Sequence, residues 1–86
     1  MMNIDEVKRV IDINTETGHN MARLVCSTYR PDQYLIGMGS INNFDKKNFQ
    51  TALNVIGYRH EQGWDDEKFF ELFKYAKARL DNKTCA

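Results

Sequence analysis

The sequence predicts a mainly α domain, a small bundle of about four helices, and three observations carry that expectation. Apolar residues recur at helical spacing in four stretches, capping residues stand at their heads, and the single proline, Pro31, falls at a boundary. The chain of 86 residues fits one domain spanning positions 1–86, because two cores need more length. A domain this short buries only about 60 to 65% of the surface its unfolded chain exposes, which favours reinforcement by self-association.

The first predicted helix runs from Asn3 to about Asp12, with Asn3 as cap, Asp5 and Glu6 in the first turn, and Ile4, Val7, Val10 and Ile11 on one face. Asp5 stands at pairing distance in sequence from Lys8 and Arg9. Asn14 to His19 is polar and contains Gly18, which reads as a loop. From Asn20, the positions of Met21, Leu24, Val25, Thr28 and Tyr29 favour a second helix ending before Pro31. The alternative is an α+β fold with a hairpin in residues 21–41 turning at Arg30 to Gln33, since Val25, Thr28, Tyr29, Tyr34 and Ile36 are good strand formers. Gly37 and Gly39 make Tyr34 to Ile41 a poor helix interior, so it reads as a loop, a short helical turn or a strand.

The third predicted helix covers about Asp45 to Gln62. Its apolar stripe is Phe49, Ala52, Leu53, Ile56 and His60, which is expected to face the core, with Gly63 as a C-terminal cap. Tyr58 then falls on the opposite, polar side among Lys47, Thr51, Asn54, Glu61 and Gln62. Asp65 reads as the N-cap of a fourth helix reaching about Leu80, with Trp64 and Phe69 in a hydrophobic staple. The short connection predicts that the third and fourth helices form an antiparallel pair. In the fourth helix Phe69, Leu72, Phe73, Ala76 and Leu80 form one stripe, flanked by Phe70 and Tyr75. An apolar arc wider than one neighbour can cover points to a subunit or partner contact through Trp64, Phe70 and Tyr75.

Charge and composition narrow the function classes. Twelve basic and twelve acidic side chains cancel, which removes the net attraction that nucleic-acid and anionic-membrane binders rely on. A DNA-reading helix-turn-helix is disfavoured further because Phe69 and Phe70 stand where polar base-contacting residues are wanted. No apolar run approaches a membrane span and the amino end lacks a secretory layout, while Cys26 and Cys85 alone suggest a reducing compartment, so the expected location is cytoplasmic. His19, Cys26, His60 and Cys85 lack the close ligand spacing of a zinc site, so neither metal nor cofactor is expected. The eight asparagines and many lysines are a composition shared with small accessory proteins of viruses and mobile elements, an analogy that selects no function.

No nucleophile and base pair emerges, and Cys26 beside a core stripe reads as a small buried hydrophobe. The expectation is therefore a non-enzymatic interaction module that self-associates, most simply as a dimer, or docks on a partner protein through aromatic helix surfaces. The alternative is a small-ligand binder that sequesters a nucleotide or other anion. Gly37 to Ser40 precedes Lys46 and Lys47, and Gly39, Ser40, Lys46, Lys47, Tyr58 and Arg59 would be its binding residues.

Overall fold

The computed structural model describes residues 2–62 and 66–81. Across them the chain forms five helices: α1 (Ile4–Ile11), α2 (Glu16–Tyr29), α3 (Met38–Asn42), α4 (Lys46–Gln62) and α5 (Glu67–Asp81). Among the described residues there is no strand, which overturns the hairpin alternative for 21–41. Met21, Leu24 and Val25 are all buried on one side of α2, whereas strand alternation would turn part of that set to water. Beyond Tyr29 the chain turns, with the Gln33 and Tyr34 amides donating to Arg30 O at 3.0 and 3.1 Å. Gly37 and Gly39 do not prevent a short helical turn, α3, which raises the helix count above the expected four.

The capping chemistry sets the helix starts. Asn3 Oδ1 accepts the Glu6 amide at 3.2 Å at the head of α1, and Asp45 Oδ1 accepts the Asn48 amide at 2.8 Å at the head of α4. At α5 the cap is Asp66, whose Oδ2 accepts the Phe69 amide at 3.0 Å, one residue later than expected. Gly63, Trp64 and Asp65, with the cap and staple expected of them, lie outside the described residues, as do Lys83 and Cys85. On α1 the ion pair is Glu6 with Arg9, at 2.7 Å, rather than one made by Asp5.

Helix α2 starts at Glu16, four residues before the expected Asn20, and Gly18 is the reason. A Cβ on Gly18 would lie 2.7 Å from Ile11 O and closer still to Ile13 O. The first turn of α2 therefore lies against the end of α1, an approach open only to a residue without a side chain. The same carbonyls receive Arg79 from α5: its Nε donates to Ile11 O at 3.3 Å and its Nη2 reaches Ile13 O at 3.5 Å. A cation at the C-terminal end of α1 also complements the helix dipole.

Helix α2 is central and packs on α5, then α1 and α4. Its buried Met21, Ala22, Leu24, Val25 and Cys26 meet Val7, Val10 and Ile11 of α1 and the stripe Phe69, Leu72, Phe73, Ala76 and Leu80 of α5 in a single core. That α5 stripe is the one its periodicity predicts.

Helix α4 departs from expectation. It buries Asn48, Thr51, Ala52 and Val55 and packs Tyr58 against the core. Leu53 and Ile56 remain 43% and 39% exposed, and His60 is exposed. At 100° per residue the buried face lies roughly 120° around the helix from the expected stripe. Two of the inward polar groups, the Thr51 and Tyr58 hydroxyls, can be buried because they are hydrogen-bonded. Thr51 Oγ1 donates to Lys47 O at 3.2 Å, and the Tyr58 hydroxyl donates to Asp66 Oδ2 at 2.6 Å.

Candidate functional site

The turned α4 keeps Ala52 and part of Phe49 on the core and leaves Leu53, Ile56 and His60 of the expected stripe outside. Lys46, Phe49, Leu53, Ile56, Gly57 and His60 share the outer side of the helix at 100° per residue. Phe49 is half-buried and packs its inner edge on the core, while Leu53 and Ile56 are among the exposed large hydrophobics. One flank of the stripe carries Lys46 near the N-terminus, then Gln50 and Gly57, and Glu61 near the C-terminus. Beside that flank lies a cleft of about 140 Å³ lined by Met2, Leu53, Asn54, Gly57, Tyr58, Glu61 and Gln62.

Gly57 presents bare backbone to the cleft. A Cβ there would meet nothing within 4 Å, so no contact inside the chain requires a glycine. In a helix interior a glycine costs about 0.5 to 1 kcal/mol relative to alanine. Its presence beside exposed Leu53 and Ile56 makes a place where another surface can approach the α4 backbone closely.

The α5 aromatics expected at an interface take different positions. Phe70 is 42% exposed, with Lys74 Nζ 5.0 Å from its ring centroid and Tyr29 and Phe73 rings at 5.9 and 6.4 Å. Tyr75 works within the chain: its hydroxyl donates to Asp12 Oδ1 at 2.6 Å, and Lys8 Nζ sits 5.1 Å from its ring centroid. The hydrogen bond to the Asp12 carboxylate holds the Tyr75 phenol above its ordinary pKa. Trp64, the third residue of that expected interface, is outside the described residues.

The six residues expected to bind an anion do not line one cleft. Ser40 lines a polar cleft of about 230 Å³ with Glu16, Thr17, Asn20, Asn43 and Phe44, and the Glu16 carboxylate opposes an anion there. Gly39 and Lys46 are exposed, and Lys47 Nζ lies 3.8 Å from Glu6 Oε1. Tyr58 points inward to Asp66, and the Arg59 guanidinium lies over the Tyr29 ring at 5.7 Å. A larger cleft of about 390 Å³, which the sequence reading missed, gathers residues from α2, α5 and the turn after α2, among them His19, Arg23, Gln33 and Asp81. Only tertiary packing brings these together, and Arg23 Nη2 donates to Leu35 O within it.

Cys26 is fully buried, and burial pushes its thiol up to about 12. Nucleophilic chemistry needs the thiolate, so this residue serves the core. Among the described residues no group of three or more His, Cys, Asp or Glu side chains is placed to hold a metal ion. Among them, too, no helix is long and apolar enough to cross a membrane. No family model, curated protein or solved structure matches the chain.

Proposed function

We propose that the protein is a non-enzymatic interaction module that docks on protein through helix surfaces, with the outer face of α4 as the principal contact. The observation that carries this reading is the exposure of Leu53 and Ile56 on the most apolar stripe of α4, while Asn48 and Thr51 are buried behind them. Exposed apolar side chains occurring singly are normal, but two on adjacent turns of one helix face, beside half-buried Phe49 and a cleft, are the form that helix-mediated recognition takes. Phe70 on α5 offers a second, smaller contact. The reading takes the protein as cytoplasmic and α4 and α5 as an antiparallel pair, their adjoining ends tied by the Tyr58 to Asp66 hydrogen bond.

The test is a photoreactive phenylalanine analogue at Leu53, with Lys68 on exposed α5 as the control position, irradiated in expressing cells. A discrete protein adduct from position 53 and none from position 68 is the expected result. Absence of any adduct from position 53 overturns the reading.

A further inference from the structure

We infer that the partner on the outer face of α4 is a second copy of the same chain, its α4 antiparallel to the first across a twofold axis near Asn54 and Val55. This rests on the interaction-module reading above and identifies the occupant of that face.

Charge placement argues for a second copy. Lys46 and Glu61 lie on the same flank of the stripe, near opposite ends of a helix of 17 residues. When two identical helices pack antiparallel, the same flank of each faces the other. Lys46 of one copy then meets Glu61 of the partner subunit, and the symmetry repeats the pair. In a parallel pair that flank of each copy would face the opposite flank of the other, and Lys46 and Glu61 would lie at opposite ends and not meet, so the charge pattern selects the antiparallel orientation. Opposed helix dipoles favour it as well.

The apolar pattern is centred within one residue of the charge pair. Leu53 and Ile56 are spaced so that Leu53 of one copy opposes Ile56 of the partner subunit, while Phe49 opposes His60 of the partner subunit. Gly57 and Leu53 help line the 140 Å³ cleft, which lies beside the flank that carries the two Lys46 to Glu61 pairs. The bare Gly57 backbone, with open space in front of it, lets the two helices approach closely. A helix of 17 residues is about 25 Å long, so one such face gives an interface at the small end of the specific range. The dimer is accordingly weak, with Kd on the order of micromolar.

Sedimentation of the purified chain from about 5 to 500 μM tests the inference, with circular dichroism on the same samples. The expected result is a monomer–dimer equilibrium. Leu53→Glu should weaken it at least about tenfold with helicity retained. Lys46→Glu and Glu61→Lys should each weaken it, and the double variant should recover most of the loss. A wild-type monomer at 500 μM overturns the inference, as does a dimer indifferent to Leu53→Glu. Failure of the charge-reversed pair to recover association overturns the antiparallel twofold arrangement. Should the photoadduct at position 53 contain a different protein while the purified chain stays monomeric, the second-copy inference falls and the interaction-module reading stands.

Discussion

The Asp66 carboxylate oxygen Oδ2 accepts two hydrogen bonds, from the Tyr58 hydroxyl at 2.6 Å and from the Phe69 amide at 3.0 Å. The Tyr58 ring also stacks on Phe69, with centroids 6.1 Å apart and planes 14° from parallel. One carboxylate thus caps α5 and ties it to the last turns of α4. The hydrogen bond from Tyr58 to the carboxylate, with burial adding to it, raises the phenol from its ordinary 10.0 to about 12.

A raised folded-state pKa means that the folded protein holds the Tyr58 proton more tightly than the unfolded chain does. The stabilisation is complete below the unfolded value near pH 10 and is lost as pH rises toward about 12. Tyr58→Phe is expected to cost about 1 kcal/mol at pH 7. It should also remove part of the alkaline loss of stability. Urea titrations at pH 7, 10 and 11.5 on both proteins measure this, and a parallel pH dependence in the two would refute it.

Two glycines predict opposite outcomes for the same substitution. At Gly18 a methyl group meets the backbone carbonyls of Ile11, the last residue of α1, and of Ile13, just past its cap, so backbone and not a flexible side chain must give way. Gly18→Ala should therefore cost about 3 kcal/mol or more, lowering Tm by roughly 15 °C in a domain of this size. Gly57 has open space around it, so Gly57→Ala should raise the stability of the monomer by about 0.5 to 1 kcal/mol. Thermal melts at low micromolar concentration distinguish the two, and equal shifts would contradict the packing at Gly18.

How much the sequence makes legible depends on whether the apolar side of a helix is also its buried side. On α5 the two coincide, and Phe69, Leu72, Phe73, Ala76 and Leu80 are readable from spacing alone. On α4 they differ, because its inner face uses Asn48, Thr51 and Tyr58, the last two with hydrogen-bonded hydroxyls. Periodicity finds the Phe49, Leu53, Ile56 stripe but carries no information about which surface it meets. The start of α2 was hidden for another reason: Gly18 reads as loop punctuation, and its role appears only when the end of α1 lies against it. Arg79 is similar, since a base near a helix end fits its own dipole, and its reach to Ile11 O is a tertiary fact.

Burial of Cys26 makes a chemical prediction. With the thiol inside the core and pushed up to about 12 by burial, a disulfide reagent such as DTNB should not label it in the native state at pH 8. Labelling should become complete in denaturant. A Cys85→Ala background isolates the signal, and native labelling at the rate of a free exposed thiol would refute the packing of α2.

The orientation of α4 can be tested by stability alone, independently of any partner. Phe73 is 8% exposed and lies 4.6 Å from the Tyr29 ring and 6.1 Å from the Tyr34 ring, centroid to centroid. Phe73→Ala should therefore cost about 3 to 5 kcal/mol, a large share of what an 86-residue domain possesses. Leu53 faces outward, so Leu53→Glu should change monomer stability by no more than about 0.5 kcal/mol. Had the apolar stripe of α4 been its inner face, the second substitution would bury an unpaired carboxylate and unfold the domain as surely as the first. Urea unfolding followed by circular dichroism, at concentrations low enough to keep the chain monomeric, separates these cases. A Leu53→Glu protein that unfolds with Phe73→Ala would return α4 to the orientation its periodicity suggests and remove the surface on which the proposed self-association depends.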